Sequence, residues 1–346
     1  MLLCKSLANA GALVGVILFS TILVATHGAA GASTGAPDDK CISRSVLDEL
    51  DARDRSKLET ILKNAGNSSN SQAMLWRIEK AGVDPSYIFG TVHIADEGLQ
   101  ELRPAVREAL AVARSVTLEA AELSRGAMQY AMAQAGPLMV ATDKPLQRLL
   151  EDDELELVER VLVKAGFPAE MALGFRPWAV TMFLADSDCQ KKKQEAGYKS
   201  LDLLVADAAR AKGLKVEGLE TMLEQYQTLA AVPETAQTAW LKASIEMHDR
   251  IDDISHTMAE LYRFRRIDAV WDLTKELAPK SGLTDAVMAT LRSALVGSRN
   301  ARMIERVTPK ADQGAAFIAV GAMHLSGKDG LVQRLRDKGY TVTAIE

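Results

Sequence analysis

One arrangement constrains this chain more than any other, because it occurs twice. A short apolar, β-rich run stops at a glycine, and a histidine follows three residues later. The first copy is SYIFGTVHIAD, residues 86–96; the second is FIAVGAMHLSG, residues 317–327. The chain of 346 residues has only five histidines. Two of them therefore sit in matched settings.

The surroundings match as well. LWRIEK (75–80) and SYIFGT (86–91) read as strands joined across AGVDP in a hairpin. LRPAVREALAVAR (102–114) has helical spacing with Pro104 in its first turn, and SVTLEA (115–120) reads as a strand. Near the C-terminus AAFIAVG (315–321) is a strand, KDGLVQRLRDKG a helix ending at Gly339, and YTVTAI a strand. Two such units predict an α/β fold with a mainly parallel sheet built from two GxxH βαβ-like units. A third unit, the helix 200–213 followed by the strand 214–218, places Glu220 just past a strand end. The remaining segments are helical in pattern and predict a large helical insertion, about 125–195 and 222–300.

The resulting division is a signal peptide at 1–32, then a linker and N-terminal helix at 33–72. The first GxxH α/β unit covers 73–124 and a helical insertion 125–195. A central helix–strand unit covers 196–221, a helical region 222–300, and the second GxxH α/β unit 301–346. The signal assignment rests on Lys5, the apolar heart from about Ala12 to Thr26, and the Ala30-Gly31-Ala32 cleavage pattern. It predicts a periplasmic or secreted protein, with a retained inner-membrane anchor as the alternative. Membrane contact is expected only through that segment. With Cys4 removed, Cys41 and Cys189 remain, and an oxidising compartment favours one disulfide between them. The alternative is two free buried thiols. Net charge is −5 and the densest basic run is KKK at 191–193, so no nucleic-acid partner is expected.

In open α/β sheets ligands sit beyond the carboxyl ends of the strands. His93, Glu119, Glu220 and His324 fall at or just past such ends, and Glu122 lies close behind Glu119. Imidazole with carboxylate suits a divalent metal such as manganese, cobalt or zinc. An incomplete protein shell leaves room for a water, with a spare carboxylate as general base. Each glycine would allow a sharp turn and leave space beside the metal or substrate. The plainer reading is that each histidine caps a helix or bonds a carbonyl. A second cluster, His248, Asp252, His256 and Glu260, follows four-residue steps along 240–262. The apolar stripe beside it makes it more simply a solvated flank. EDDELE, 151–156, reads as a helix N-terminus favoured by the dipole. P-loop, H-E-x-x-H and C-x-x-C patterns do not occur, and the G-x-S-x-G spacing at 31–35 falls in the signal and linker stretch, not in a strand–helix elbow.

These residues resemble the TraB/GumN family, part of a wider group with the Tiki metalloproteases and, more distantly, haem-binding ChaN and erythromycin-esterase-like proteins. The resemblance rests on both G-x-x-H motifs, TLEAAEL after the first helix, GLET at 218–221 and SRN at 298–300. FRPWAVTMFLADSDC, 175–189, is similar to a block of exported bacterial members. The resemblance implies a sheet around two histidines and, in Tiki-like members, metal-dependent peptide cleavage. Carried over, His93 and His324 would be metal ligands, and Glu119 and Glu220 ligand or base. The implied function is a periplasmic metal-dependent hydrolase acting on a peptide or polypeptide. The alternative is a non-catalytic envelope protein binding haem, peptide or glycan, linked to polysaccharide biosynthesis as in GumN-like proteins.

Overall fold

The computed structural model describes residues 41, 43–121, 124–143 and 145–346. The expected signal segment, the linker at 33–40 and Glu122 lie outside them.

Six strands form one sheet in the order β4-β3-β5-β2-β1-β6. They are β1 (Leu75–Lys80), β2 (Val83–Thr91), β3 (Ser115–Ala120), β4 (Val216–Glu220), β5 (Ala316–Gly321) and β6 (Thr341–Ala344). β2, β5, β3 and β4 are mutually parallel, whereas β1 runs antiparallel to both β2 and β6. The hairpin is tighter than its sequence suggests. Lys80 pairs with Val83, so only Ala81 and Gly82 turn, and Gly82 takes φ +76°. Asp84 and Pro85 belong to the strand. β4 also ends later than expected, so Glu220 is its last residue rather than one beyond it.

The decisive feature is where β5 enters. The connection from β2 to β3 passes through the Pro104–Ala111 helix and skips one position, and β5 fills that gap. From β5 the chain leaves in the other direction, through the Leu331–Asp337 helix to β6 at the far edge. The two helices cover opposite faces. Val106 and Leu110 join one apolar cluster with Phe89, Leu118 and Phe317; Leu331 and Leu335 join another with Trp76, Ile88 and Ile318. Alternation along each strand produces this division, and β5 is buried on both faces, as a central parallel strand must be. The crevice where connections diverge is the usual ligand position in such sheets. It lies between β2 and β5, the strands that carry the two histidines.

The insertions are helical, as expected. The pattern over 240–262 is not one helix, however. It breaks between Glu234–Glu246 and Ile251–Arg263 at a 3-10 turn, His248–Arg250. A continuous helix, Ser298–Gln313, crosses the boundary expected at 300/301, and its Met303, Ile304 and Val307 pack on the sheet. A π turn, Ser293–Gly297, precedes it directly. Cys41 and Cys189 are joined in a disulfide closing 148 residues of sequence. Among the described residues no helix is long and apolar enough to cross a membrane.

Candidate functional site

The parallel register brings four strand ends to one edge: Thr91 lies opposite Gly321, and Ala120 opposite Glu220. His93, two residues past β2, and His324, three past β5, both turn toward Glu119 on β3. Glu119 Oε2 is 3.7 Å from His93 Nε2 and 3.8 Å from His324 Nε2. The same oxygen accepts the Gly321 backbone N–H at 2.8 Å. His324 is buried, and the His93 side chain keeps 19% of its surface exposed.

Each imidazole is fixed from behind. Asp202 Oδ2 lies 2.6 Å from His93 Nδ1, and Asp202 Oδ1 accepts from the Thr91 hydroxyl at 2.7 Å. His324 Nδ1 is 2.6 Å from Asn300 Oδ1. The Asn300 amide donates to the carbonyls of His324 and Asp329, so its oxygen is left to accept from the imidazole N–H. That assigns the bare nitrogen of His324 to Nε2, facing Glu119.

Arg299 ties the carboxylates together. It is fully buried, donates from Nη2 to Glu119 Oε1, and reaches Glu220 Oε2 through Nε at 2.8 Å. Arg302 holds the other Glu220 oxygen at 2.9 Å, and Gln225 donates to Glu119 Oε1 at 3.3 Å. Both oxygens of Glu220 are therefore engaged by guanidinium groups. Through Arg299 it braces Glu119.

The three groups nearest the crevice titrate very differently. Burial opposes charge on His93, but Asp202, and then Glu119, outweigh it and raise its pKa to about 10. Burial lowers His324 to about 3, with Arg299 and His93 adding to the effect against Glu119. Burial alone would raise Glu119; Arg299 and then the two imidazoles hold it well below the usual carboxylate range.

Among the described residues no three His, Cys, Asp or Glu side chains are gathered into a ready-made metal cage. The His93–Glu119–His324 set has the right chemistry in a slightly open form. A tetrahedral metal with bonds near 2.1 Å keeps its ligand atoms about 3.4 Å apart. Edges of 3.7 and 3.8 Å need only small side-chain rotations to reach that spacing. Two imidazoles bound at Nδ1 by a carboxylate and an amide, with Nε2 turned inward, have the outer support typical of metal-ligating histidines. The donor types, two imidazoles and a carboxylate, suit a small divalent cation.

The glycines serve by close approach, not by a special turn. Neither has positive φ. A Cβ on Gly321 would lie 3.2 Å from Glu119 Oε2 and 3.3 Å from His93 Nε2; one on Gly90 would meet Leu325 at 2.8 Å.

The second cluster is not gathered. His248 Nδ1 faces the Leu184 carbonyl, Asp252 accepts from Ser187, and Glu260 accepts from Ser45 beside its contact with His256. These side chains fasten helices. Asp202, Asn300, Arg299 and Gln225 escaped the sequence reading as site residues. Only the SRN block pointed near two of them, whereas Asp202 reads as an acid in the first turn of the Leu201–Ala211 helix.

The TraB/PrgY/gumN family model matches residues 74–344. A metalloprotease TIKI homolog from Amphimedon queenslandica is 23% identical over 327 residues, covering 82% of this chain. The chain spans 63% of that relative's length. No solved structure matches it.

Proposed function

The chain belongs to the TraB/PrgY/gumN family, and on that premise we propose that it is a metal-dependent hydrolase acting on peptides outside the cytoplasm. The observation that carries this reading is the convergence of two imidazole Nε2 atoms on one carboxylate oxygen, each ring held at Nδ1. His93, His324 and Glu119 would hold the cation. A bound divalent cation supplies Lewis acidity and lowers the pKa of a coordinated water toward neutrality.

The chain's own residues have separable tasks. Asp202 and Asn300 fix the two ring orientations. Arg299, itself held by Glu220, keeps Glu119 ionised and stationary. The buried His324 face excludes water, while the partly exposed His93 side lets substrate reach the crevice. The TIKI homolog's description as a metalloprotease supports the reaction class. Convergence on a carboxylate favours a small cation over haem, whose ring would have to part the three groups. The N-terminal pattern supports export.

Metal analysis of residues 33–346 tests the reading. The wild type should retain manganese, cobalt or zinc near one equivalent, and the His93→Ala/His324→Ala protein should not. A peptide library supplied with manganese or cobalt should be cleaved by the first and not by the second. Equal metal content in the two proteins would remove the basis for the proposal.

A further inference from the structure

A cleft of about 850 Å³ lies between the Met222–Ala230 helix and the helix pair that flanks the π turn. Its size suits a ligand of several residues. The Met222–Ala230 helix follows Glu220 at the end of β4, and Arg302 in the cleft wall bonds Glu220, which joins the cleft to the site. Gln227, Thr228 and Ser293 supply amide and hydroxyl groups to its wall, and Val232 and Ala294 supply apolar surface. Ser293 and Ala294 belong to the π turn, a distortion frequently found at functional sites.

Arg302 gives the cleft its chemical character. It lines the wall and its side chain keeps 39% of its surface exposed. Its hydrogen bonds to Glu220 and Thr228 both come from Nη2. Nε is buried and has no acceptor. A guanidinium carries five donors; with both Nη2 hydrogens spent and Nε buried, Nη1 is the end open to a ligand. Glu224, the acid in the lining, does not compensate it. Arg306 donates to both of its oxygens and holds its pKa down near 2. The cleft therefore presents the Nη1 end of an arginine already paired with Glu220, and its lining acid has no oxygen left uncompensated.

On the hydrolase reading above, we propose that this cleft is a substrate subsite that binds a carboxylate of a peptide through Arg302. A peptide carboxylate would accept from Nη1 in a charge-assisted hydrogen bond, stronger than a neutral one. The peptide assignment follows from the rest of the wall. Small apolar residues with amide and hydroxyl groups suit side chains and backbone, and the lining has no aromatic ring for a sugar to stack on. The occupant would be felt at the centre, because Arg302 bonds Glu220, Glu220 bonds Arg299, and Arg299 bonds Glu119.

The test is fluorescence anisotropy with a dansyl-labelled octapeptide containing three glutamates and a free C-terminus. Its partner has glutamines and a C-terminal amide. Binding is measured in EDTA, so a failure of the metal or hydrolysis reading leaves the result standing. The wild type should bind the acidic peptide at least tenfold tighter. Arg302→Gln should bring the two peptides to parity. Ala294→Trp, which fills the cleft without touching the ion network, should weaken both at least tenfold. Circular dichroism establishes that each variant folds; should Arg302→Gln not fold, the wild-type comparison and Ala294→Trp decide. Equal affinity of the wild type for both peptides, no binding, or an unaffected Ala294→Trp protein overturns the proposal. So does competition by a uronic-acid oligosaccharide as strong as that by the unlabelled acidic peptide.

Discussion

Asp202 stands 2.6 Å from His93 Nδ1 although 109 residues separate them in sequence, and the same carboxylate also accepts from Thr91. One side chain thus fixes both the ring and the strand end that delivers it. Loss of such a partner commonly costs 10–100-fold in metal affinity. Asp202→Asn should therefore weaken manganese or cobalt binding by about that factor, with Thr91→Val having a smaller effect. Isothermal titration against wild type measures it. Unchanged affinity in Asp202→Asn would show that the pair serves packing alone.

The opposed titrations of the two histidines predict a bell in stability. His93, raised to about 10 from an ordinary 6.5, stabilises the folded metal-free protein fully below pH 6.5. That contribution is lost as the pH rises toward 10. His324, lowered to about 3, takes up a proton on unfolding between pH 6.5 and 3, so stability falls as the pH falls through that window. Glu119, held low in the folded state, deepens the acid limb below its ordinary 4.5. Melting temperature in EDTA should peak near pH 6.5. A divalent cation should flatten the alkaline limb, because it replaces the proton on His93, and His93→Gln should lack that limb. A melting temperature that climbs from pH 7 to 9 in EDTA would contradict the charged state of His93.

Arg299 pairs with two buried carboxylates at once. Removing one partner of a buried ion network strands the others, at about 3–5 kcal/mol. Arg299→Met should lose that much in urea unfolding. Adding Glu220→Gln should recover part of the loss, because the stranded charge is gone. Additive losses would mean the three residues do not act as one unit.

Much of this arrangement was visible in the sequence, for identifiable reasons. Strand–Gly-x-x-His–helix units declare themselves through local periodicity, so His93 and His324 stood out. Glu119 did so through its place at a strand end. What local pattern cannot encode is that β5 enters between β2 and β3, since crossover order depends on which faces the helices cover. Asp202 was hidden because an acid in a first helical turn already has a local explanation. Glu220 read as equivalent to Glu119, but Arg299 and Arg302 occupy it from a helix about 80 residues onward. The break at His248–Arg250 was masked by an apolar stripe that runs through it.

The disulfide bears on the site through one amide. Gln190, beside Cys189, accepts from Ala95 N–H at 2.9 Å and donates to Ala95 carbonyl at 3.2 Å, two residues past His93. Closing a loop of 148 residues restricts the unfolded chain strongly. Cys189→Ser should cost about 2–5 kcal/mol, and dithiothreitol should lower the melting temperature of wild type but not of the variant. If reductant leaves the wild type unchanged, the cross-link contributes nothing to stability.

The two motif glycines should respond differently to the same added methyl. At Gly321 the new Cβ would sit between Glu119 Oε2 at 3.2 Å and His93 Nε2 at 3.3 Å, inside the space a cation needs. Polar side-chain atoms at a crevice can yield by a few tenths of an ångström, so the fold should survive. At Gly90 the Cβ would meet Leu325 at 2.8 Å and the Ala322 backbone at 3.1 Å, within packed core. Overpacking of that kind costs about 1–3 kcal/mol. Gly321→Ala should therefore lose metal binding at near-native stability. Gly90→Ala should lose stability first, and metal affinity only as far as the β2 end shifts. Paired urea unfolding and metal titration separate the cases. The reverse pattern, with Gly321→Ala unstable and Gly90→Ala unable to bind metal, would move the proposed centre away from Gly321 and toward β2.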